Sequence, residues 1–380
     1  MPLNTDLVFS LIRLGLDVET DIRGITEEEF SELKQLGIRQ SILPIIYRGL
    51  QKTNKPKAWM DSLEKEKDRC IIQHIFRQNA IDQLASTLDE TEIAYILLKG
   101  ATICELYPEP WMRTSSDIDI LVPEQMCEIA LRTIEEKTKF QFQKKSYHDY
   151  SLIDHHIHLE LHYSLKENEE RIDPLLREAW DYAAPKGKGQ QYCFSPEYLI
   201  FYITAHMLHH FLNGGLGIRP FLDLWLLRTK LHYNEEEINK LFDRCGMLAF
   251  YVNCCRLTEV WMSGADHTKT TEQLEHYVLQ GGVFGSDSFR YLARQRKHTG
   301  LKYLLSRVFP SKYQVREYYN NNGDDDAHSF LYYYAKRLKS WLGKERRSKL
   351  IQQIKAVRKS DHVELQKAQE LMKELGLSDS

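Results

Sequence analysis

Residues 97–122 read LLKGATICELYPEPWMRTSSDIDILV, and the fold turns on this stretch. It opens as the end of an apolar run, Ile93 to Leu98, which has the length of a buried strand and stops in the turn Lys99-Gly100. A helical stretch from Thr102 to Tyr107 follows, then the turn Pro108-Glu109-Pro110. Asp117 to Val122 alternates polar with apolar, becomes wholly apolar and is ended by Pro123, the pattern of a second strand. A period of two puts Asp117 and Asp119 on one face, roughly 7 Å apart, with Ile118 and Ile120 turned into a core. Two such carboxylates repel unless a cation lies between them, and hard oxygen donors suit Mg²⁺ or Mn²⁺. An ion held this way together with substrate phosphates is the usual arrangement for phosphoryl and nucleotidyl transfer. The plain alternative is a solvated strand edge.

Just before the pair, Lys99-Gly100-Ala101-Thr102 is a glycine turn that opens a helix. Such a turn presents backbone N–H groups and the positive end of a dipole to an anion. Lys99 and Arg113 add positive charge there; as alternatives, Gly100 is a turn glycine and Arg113 a solvated surface residue. Beyond the pair, Glu124 to Lys137 reads as a helix, and Phe140 to Lys145 and Tyr150 to Tyr163 read as two more strands. The second of these carries His156-Ile157-His158-Leu159-Glu160-Leu161-His162, whose alternation gathers His156, His158, Glu160 and His162 on one face, with Asp154 extending it.

Upstream, residues 1 to about 90 read as helices. Thr26 caps one that begins with Glu27, Glu28 and Glu29 and takes its apolar side from Leu33, Leu36 and Ile38. Pro44 to Leu50 and Ile71 to Leu88 have helical spacing as well. Downstream, Ser195-Pro196-Glu197 starts another helix with a cap and a first-turn proline. On it His206, His209, His210 and Asn213 fall on one face. A loop from Gly214 to Pro220 follows, in which Arg219 stands four residues before Asp223. That loop reads either as a lid over a nucleotide or as a tight helix turn with an Arg219–Asp223 pair.

Taken together, the stretch from Leu97 to Val122 resembles the start of the polymerase-β-like nucleotidyltransferase superfamily. More closely, with the later block SPEYLIFYITAHMLHHFLNGGLGIRPFLDLWLL and the phrase RVFPSKYQVREYY, the chain resembles a bacterial family of uncharacterised nucleotidyltransferases over about residues 25 to 340. The resemblance implies an α+β fold: a small nucleotidyltransferase core at 91–190 with a mixed sheet, a helical N-terminal region at 1–90 and a helical C-terminal domain at 195–380. It implies Asp117, Asp119 and Glu160 as metal ligands and catalytic carboxylates. Lys99, Gly100, Ala101, Thr102, Arg113 and Arg219 are then the residues that hold the nucleotide. The chemistry implied is transfer of a nucleoside monophosphate from an NTP, with Mg²⁺ or Mn²⁺, to an acceptor the sequence does not name. Two features depart from the superfamily pattern. Gly100-Ala101 stands where Gly-Ser or Gly-Gly is usual, with Thr102 supplying a hydroxyl next door. The gap to Asp117 is also a few residues longer.

Two competing readings stay open at this point. One is a hydrolase or oxygenase that holds Zn²⁺ or Fe²⁺ on His156, His158, Glu160 and His162. The other is a module that binds nucleotide without turnover. The bulk numbers narrow the partners. Across 380 residues the net charge is −3, so no overall basic face grips long nucleic acid, and a small molecule, peptide or protein is the expected acceptor. Between Lys336 and Lys359 ten Lys or Arg stand against one acid, Glu345, which reads as a solvated helix face more readily than as a membrane or RNA dock. Asp324-Asp325-Asp326 reads as a loop. No apolar run approaches the ~20 residues that span a bilayer, the N-terminal stretch has neither a cationic start before its apolar residues nor a small-residue cleavage site, and the seven cysteines include no Cys-x-x-Cys pair. The expectation is a cytoplasmic protein with reduced thiols.

Overall fold

The computed structural model describes residues 4–213, 215–281 and 362–377. Gly214, the RVFPSKYQVREYY phrase, the Asp324–Asp326 loop and the basic segment 336–359 lie outside the described residues.

Four helices come first: α1 (Thr5–Gly15), α2 (Glu27–Arg39), α3 (Leu43–Gln51) and α4 (Lys57–Glu90). The α2 start is the expected one, with the Thr26 hydroxyl accepting from the Glu29 amide and the Glu29 carboxylate returning the bond. Ile38 does not join the apolar side: it is 56% exposed, because five residues on from Leu33 is about 140° round the helix. α1 and α3 cross at backbone contact. A side chain on Gly49 would meet the Leu11 carbonyl oxygen at 2.1 Å, so only glycine allows that approach. α4 starts well before the apolar spacing at Ile71 and runs for 34 residues.

The sheet has seven strands in the order β3-β4-β5-β2-β1-β7-β6. They are β1 (Tyr95–Leu97), β2 (Asp117–Leu121), β3 (Gln141–Lys145), β4 (Asp149–Asp154), β5 (Ile157–His162), β6 (Ala183–Pro185) and β7 (Gln191–Phe194). The sheet is mixed, since β2 pairs parallel with β5 and β1 parallel with β7, while the remaining pairs are antiparallel. The stretch from Tyr150 to Tyr163 is a hairpin of β4 and β5 where the sequence suggested one strand. His155 takes a positive φ of 49° in its turn, so Asp154 and His156 are not in line with the β5 residues.

Between β1 and β2 lie α5 (Gly100–Ile103) and two single 3-10 turns, Cys104–Leu106 and Pro110–Met112. After β2 come a 3-10 turn at Glu124–Met126 and α6 (Cys127–Lys137). One face of the sheet buries Ile118, Ile120, Leu152, Leu159 and Leu161 against α4 and α6. A short helix α7 (Asp173–Arg177) leads to the later helices α8 (Pro196–Leu212), α9 (Ile218–Lys230), α10 (Glu235–Arg244), α11 (Leu248–Ser263), α12 (Lys269–Gly281) and α13 (His362–Glu374). Ser195 caps α8 by accepting from Tyr198, with Pro196 in the first turn. These helices share a second core with α1 to α3, and Ile96, Leu98, Ile103 and Leu121 enter it from the sheet side. The fold is α+β: a mixed sheet with helical flanks. Among the described residues no helix is long and apolar enough to cross a membrane, and all seven cysteines are free.

Candidate active site

Register builds the site. β2 and β5 run parallel, with Asp117 opposite His158, Asp119 opposite Glu160 and Leu121 opposite His162. Partners opposite one another point to the same face. The face turned away from α4 and α6 therefore carries Asp117, Asp119, His158, Glu160 and His162.

Asp119 is the buried centre, only 2% exposed. Lys99 Nζ donates to its Oδ1 at 2.9 Å, and His162 Nε2 lies 3.1 Å from the same oxygen. His162 Nε2 also lies 3.5 Å from Glu160 Oε2. One ligand atom each from Asp119, Glu160 and His162 falls within 4.8 Å of the others. Burial alone would raise the Asp119 pKa, but the Lys99 charge and the His162 bond hold it well below the usual carboxylate range. For Lys99, burial opposes the charge and the Asp119 carboxylate outweighs it, keeping the ammonium well above its ordinary value. His162 is likewise opposed by burial, yet its bonds to Asp119 and Glu160 push it up to about 9.

Asp117 sits at the rim, half-buried, where the Ser115 hydroxyl donates to its Oδ1 at 2.8 Å. With Glu160, His158, Tyr147, His148 and Asp149 it lines a polar cleft of about 400 Å³. Asp117 and Glu160 border this cleft, and the buried Asp119 has an oxygen within 4.8 Å of one of Glu160's; oxygen donors of this kind suit Mg²⁺ or Mn²⁺.

The turn before the site is more closed than its sequence suggests. Lys99 adopts φ 41° to start α5, and the amides of Ala101, Thr102 and Ile103 bond inward to the Leu98 and Lys99 carbonyls. The Thr102 hydroxyl donates to the Leu97 carbonyl at 2.6 Å. Gly100 has no room for a side chain, since a Cβ would meet Arg113 Nη1 at 2.7 Å.

Arg113 is buried and forks onto Asp223, with Nη2 to Oδ2 at 2.8 Å, and the Tyr107 hydroxyl donates to the same carboxylate at 2.7 Å. Asp223 thus bonds to Arg113 and Tyr107, where the i,i+4 spacing had suggested Arg219. Arg219 donates instead to the Thr114 carbonyl at 2.7 Å. Arg219 thus grips the loop that delivers Asp117, and Arg113, within that loop, ties it to α9.

The α8 histidines converge as their spacing predicts, on an acid the sequence reading did not single out. Glu167 Oε1 lies 2.8 Å from His206 Nδ1 and its Oε2 lies 3.2 Å from His209 Nδ1, while His210 Nε2 lies 2.9 Å from His206 Nε2. Burial opposes the charge on Glu167, but His206, His209 and nearby Lys99 bring its pKa down to about 2. Arg77, buried on α4, donates to the Ser115 carbonyl at 3.2 Å and was also missed. Neither residue stands in a local pattern: Glu167 lies in a loop, and Arg77 reads as one more charge on a long polar helix. His156 lies in the β4–β5 turn, and neither it nor His158 joins a three-residue ligand group among the described residues.

A family model described as uncharacterised nucleotidyltransferase matches residues 26–263. The chain belongs to that family. The match contains the whole carboxylate site, the turn at Lys99-Gly100 and the Arg113–Asp223 brace. Searches of curated proteins and of solved structures find no match. Family membership makes nucleotidyl transfer the general activity to which this nucleotidyltransferase's geometry is compared.

Proposed function

We propose that this nucleotidyltransferase moves a nucleoside monophosphate from an NTP to a hydroxyl-bearing acceptor, on a polymerase-β-like core at about residues 91–190. The observation that carries the reading is the register of β2 against β5, which pairs Asp119 with Glu160, while Asp117 and Glu160 line one cleft. Asp117, Asp119 and Glu160 would hold Mg²⁺ or Mn²⁺, which when bound neutralises triphosphate charge and lowers the pKa of a coordinated hydroxyl. Lys99 supplies a fixed positive charge beside Asp119 for the phosphates. Gly100 keeps the turn close to them. Arg113 and Arg219 act through the loop that holds Asp117 in place. Glu160, partly exposed on β5 and lining the cleft, takes the acceptor proton. The acceptor oxygen bonds to the α-phosphorus as the bond to the bridging oxygen breaks, and pyrophosphate leaves with that electron pair.

The test is incubation of the protein with each α-labelled NTP, Mg²⁺ and fractionated cell extract. Label moving to an acceptor with release of pyrophosphate is the expected result. Label released only as free monophosphate, with no adduct, would replace transfer with hydrolysis.

A further inference from the structure

Six large apolar side chains stand exposed among the described residues, and three of them, Ile72, Ile75 and Phe76, adjoin on α4 at 52–61% exposure. They belong to a longer surface. Exposed positions recur every three or four residues from Lys65 to Ser86, which draws one stripe along about six turns of the helix. The other side of the same turns is occupied. Cys70, Ile81 and Leu84 are buried there, and Arg77 donates to the Ser115 carbonyl. The stripe therefore faces away from the loop that delivers Asp117.

The apolar triad forms the middle of the stripe and its flanks are polar, with Arg69 before it and Asn79 and Asp82 after it. An apolar centre inside a polar rim is the make-up of a protein interface. The charges select the partner. Arg69 and Asp82 lie about 20 Å apart along the axis, and their midpoint falls between Ile75 and Phe76. A twofold axis through that point, perpendicular to α4, sets Ile75 against Phe76, Ile72 against Asn79 and Arg69 against Asp82 of a second copy, each contact being made twice. Arg69 already pairs with Glu66 at 2.8 Å, and Asp82 accepts from Gln78 at 2.9 Å. A guanidinium with five N–H groups and a carboxylate with two oxygens can each take a further partner. Parallel packing would instead set Arg69 on Arg69 and Asp82 on Asp82.

We propose that the exposed stripe of α4 is a homodimer interface, in which two copies pack antiparallel about Ile75 and Phe76. Two helices packed along six turns bury on the order of 1,200 Å² in total, the lower edge of what a stable pair needs, so the dimer is of micromolar affinity. The proposal does not rest on the nucleotidyl-transfer reading, because it uses no residue of the carboxylate site.

Sedimentation equilibrium of the full chain across roughly 1–100 μM should follow a monomer–dimer equilibrium. Phe76→Glu puts a charge at the centre of the stripe and should weaken the dimer by about 30-fold or more, with unchanged circular dichroism. Arg69→Glu should weaken it about tenfold by turning two attractions into repulsions, and adding Asp82→Arg should restore it to within about threefold. The charge pair is exposed, so it decides the matter even where Phe76→Glu misfolds. A dimer indifferent to Phe76→Glu would overturn the interface, and a double variant that does not recover would overturn the antiparallel register. A wild type that stays monomeric would overturn the proposal outright. Slow labelling of Ile75→Cys by a thiol reagent in that monomer would then put another part of the chain on the stripe.

Discussion

Asp119 makes three demands on its surroundings at once: it is buried, it is charged, and it is shared by two cations. Removing one partner of such a group costs about 3–5 kcal/mol, because the others stay buried and unpaired. Asp119→Asn would therefore lower stability as well as activity. Asp117→Asn is the cleaner test, since Asp117 is half-buried and its bond comes from Ser115. We expect Asp117→Asn to cut label transfer by at least ~100-fold, about 2.7 kcal/mol of barrier, with an unchanged melting temperature. Transfer at the wild-type rate would remove Asp117 from the site.

His162 gives a pH signature at the same scale. Its folded pKa, about 9, lies above the ordinary 6.5. The stability it contributes is complete below pH ~6.5 and is lost as pH rises through about 9, on the order of 3 kcal/mol in all. Denaturant unfolding at both pH values should show that loss in the wild type and a flatter profile in His162→Gln. Parallel profiles would mean that His162 is neutral in the folded chain.

At the scale of elements, the decisive device is the brace from α9 to the loop before β2. Arg113, Tyr107 and Asp223 are all buried, and they join segments more than a hundred residues apart. Asp223→Ala leaves a buried guanidinium without its partner, so we expect a loss of about 3–5 kcal/mol. Because the brace fixes Asp117, the residual folded protein should also transfer label more slowly. Loss of stability with unchanged turnover would show that the loop holds its shape without α9. The sequence made much of this layer legible. Alternation fixed the faces of β2 and β5, and cap chemistry fixed the starts of α2 and α8. It could not separate β4 from β5, because the turn at His155 and His156 carries no Gly, Pro or Asn to announce it. Nor could it pair Asp223 with Arg113. Local spacing offers Arg219 as partner, and only the tertiary approach of α9 to the loop decides otherwise.

At the scale of the whole molecule, the question is whether the sheet is a domain in its own right. The reading of the chain as parts at 1–90, 91–190 and 195–380 follows composition and resemblance, and packing bears on it differently. Ile96, Leu98, Ile103, Tyr107, Met112 and Leu121 all belong to the same buried cluster as Leu7 of α1 and Phe221 of α9. The other sheet core depends in turn on Ala80, Ile81, Leu84 and Leu88 of α4, which lies before residue 91. Exposing a buried side chain of this size loses about 1.5–3 kcal/mol. For the six residues named first that is roughly 9–18 kcal/mol, as large as the ~5–15 kcal/mol that holds a typical domain together. A fragment of residues 91–190 should therefore show no cooperative thermal transition, and residues 57–190, which restore α4, should still fall short. The chain carrying residues 1–281 should unfold in one step by calorimetry. A cooperative transition in the 91–190 fragment would establish the sheet as self-sufficient. It would also make the contacts of α8 and α9 an addition to a finished site, because Lys99, Asp119 and Glu160 would then be held without them.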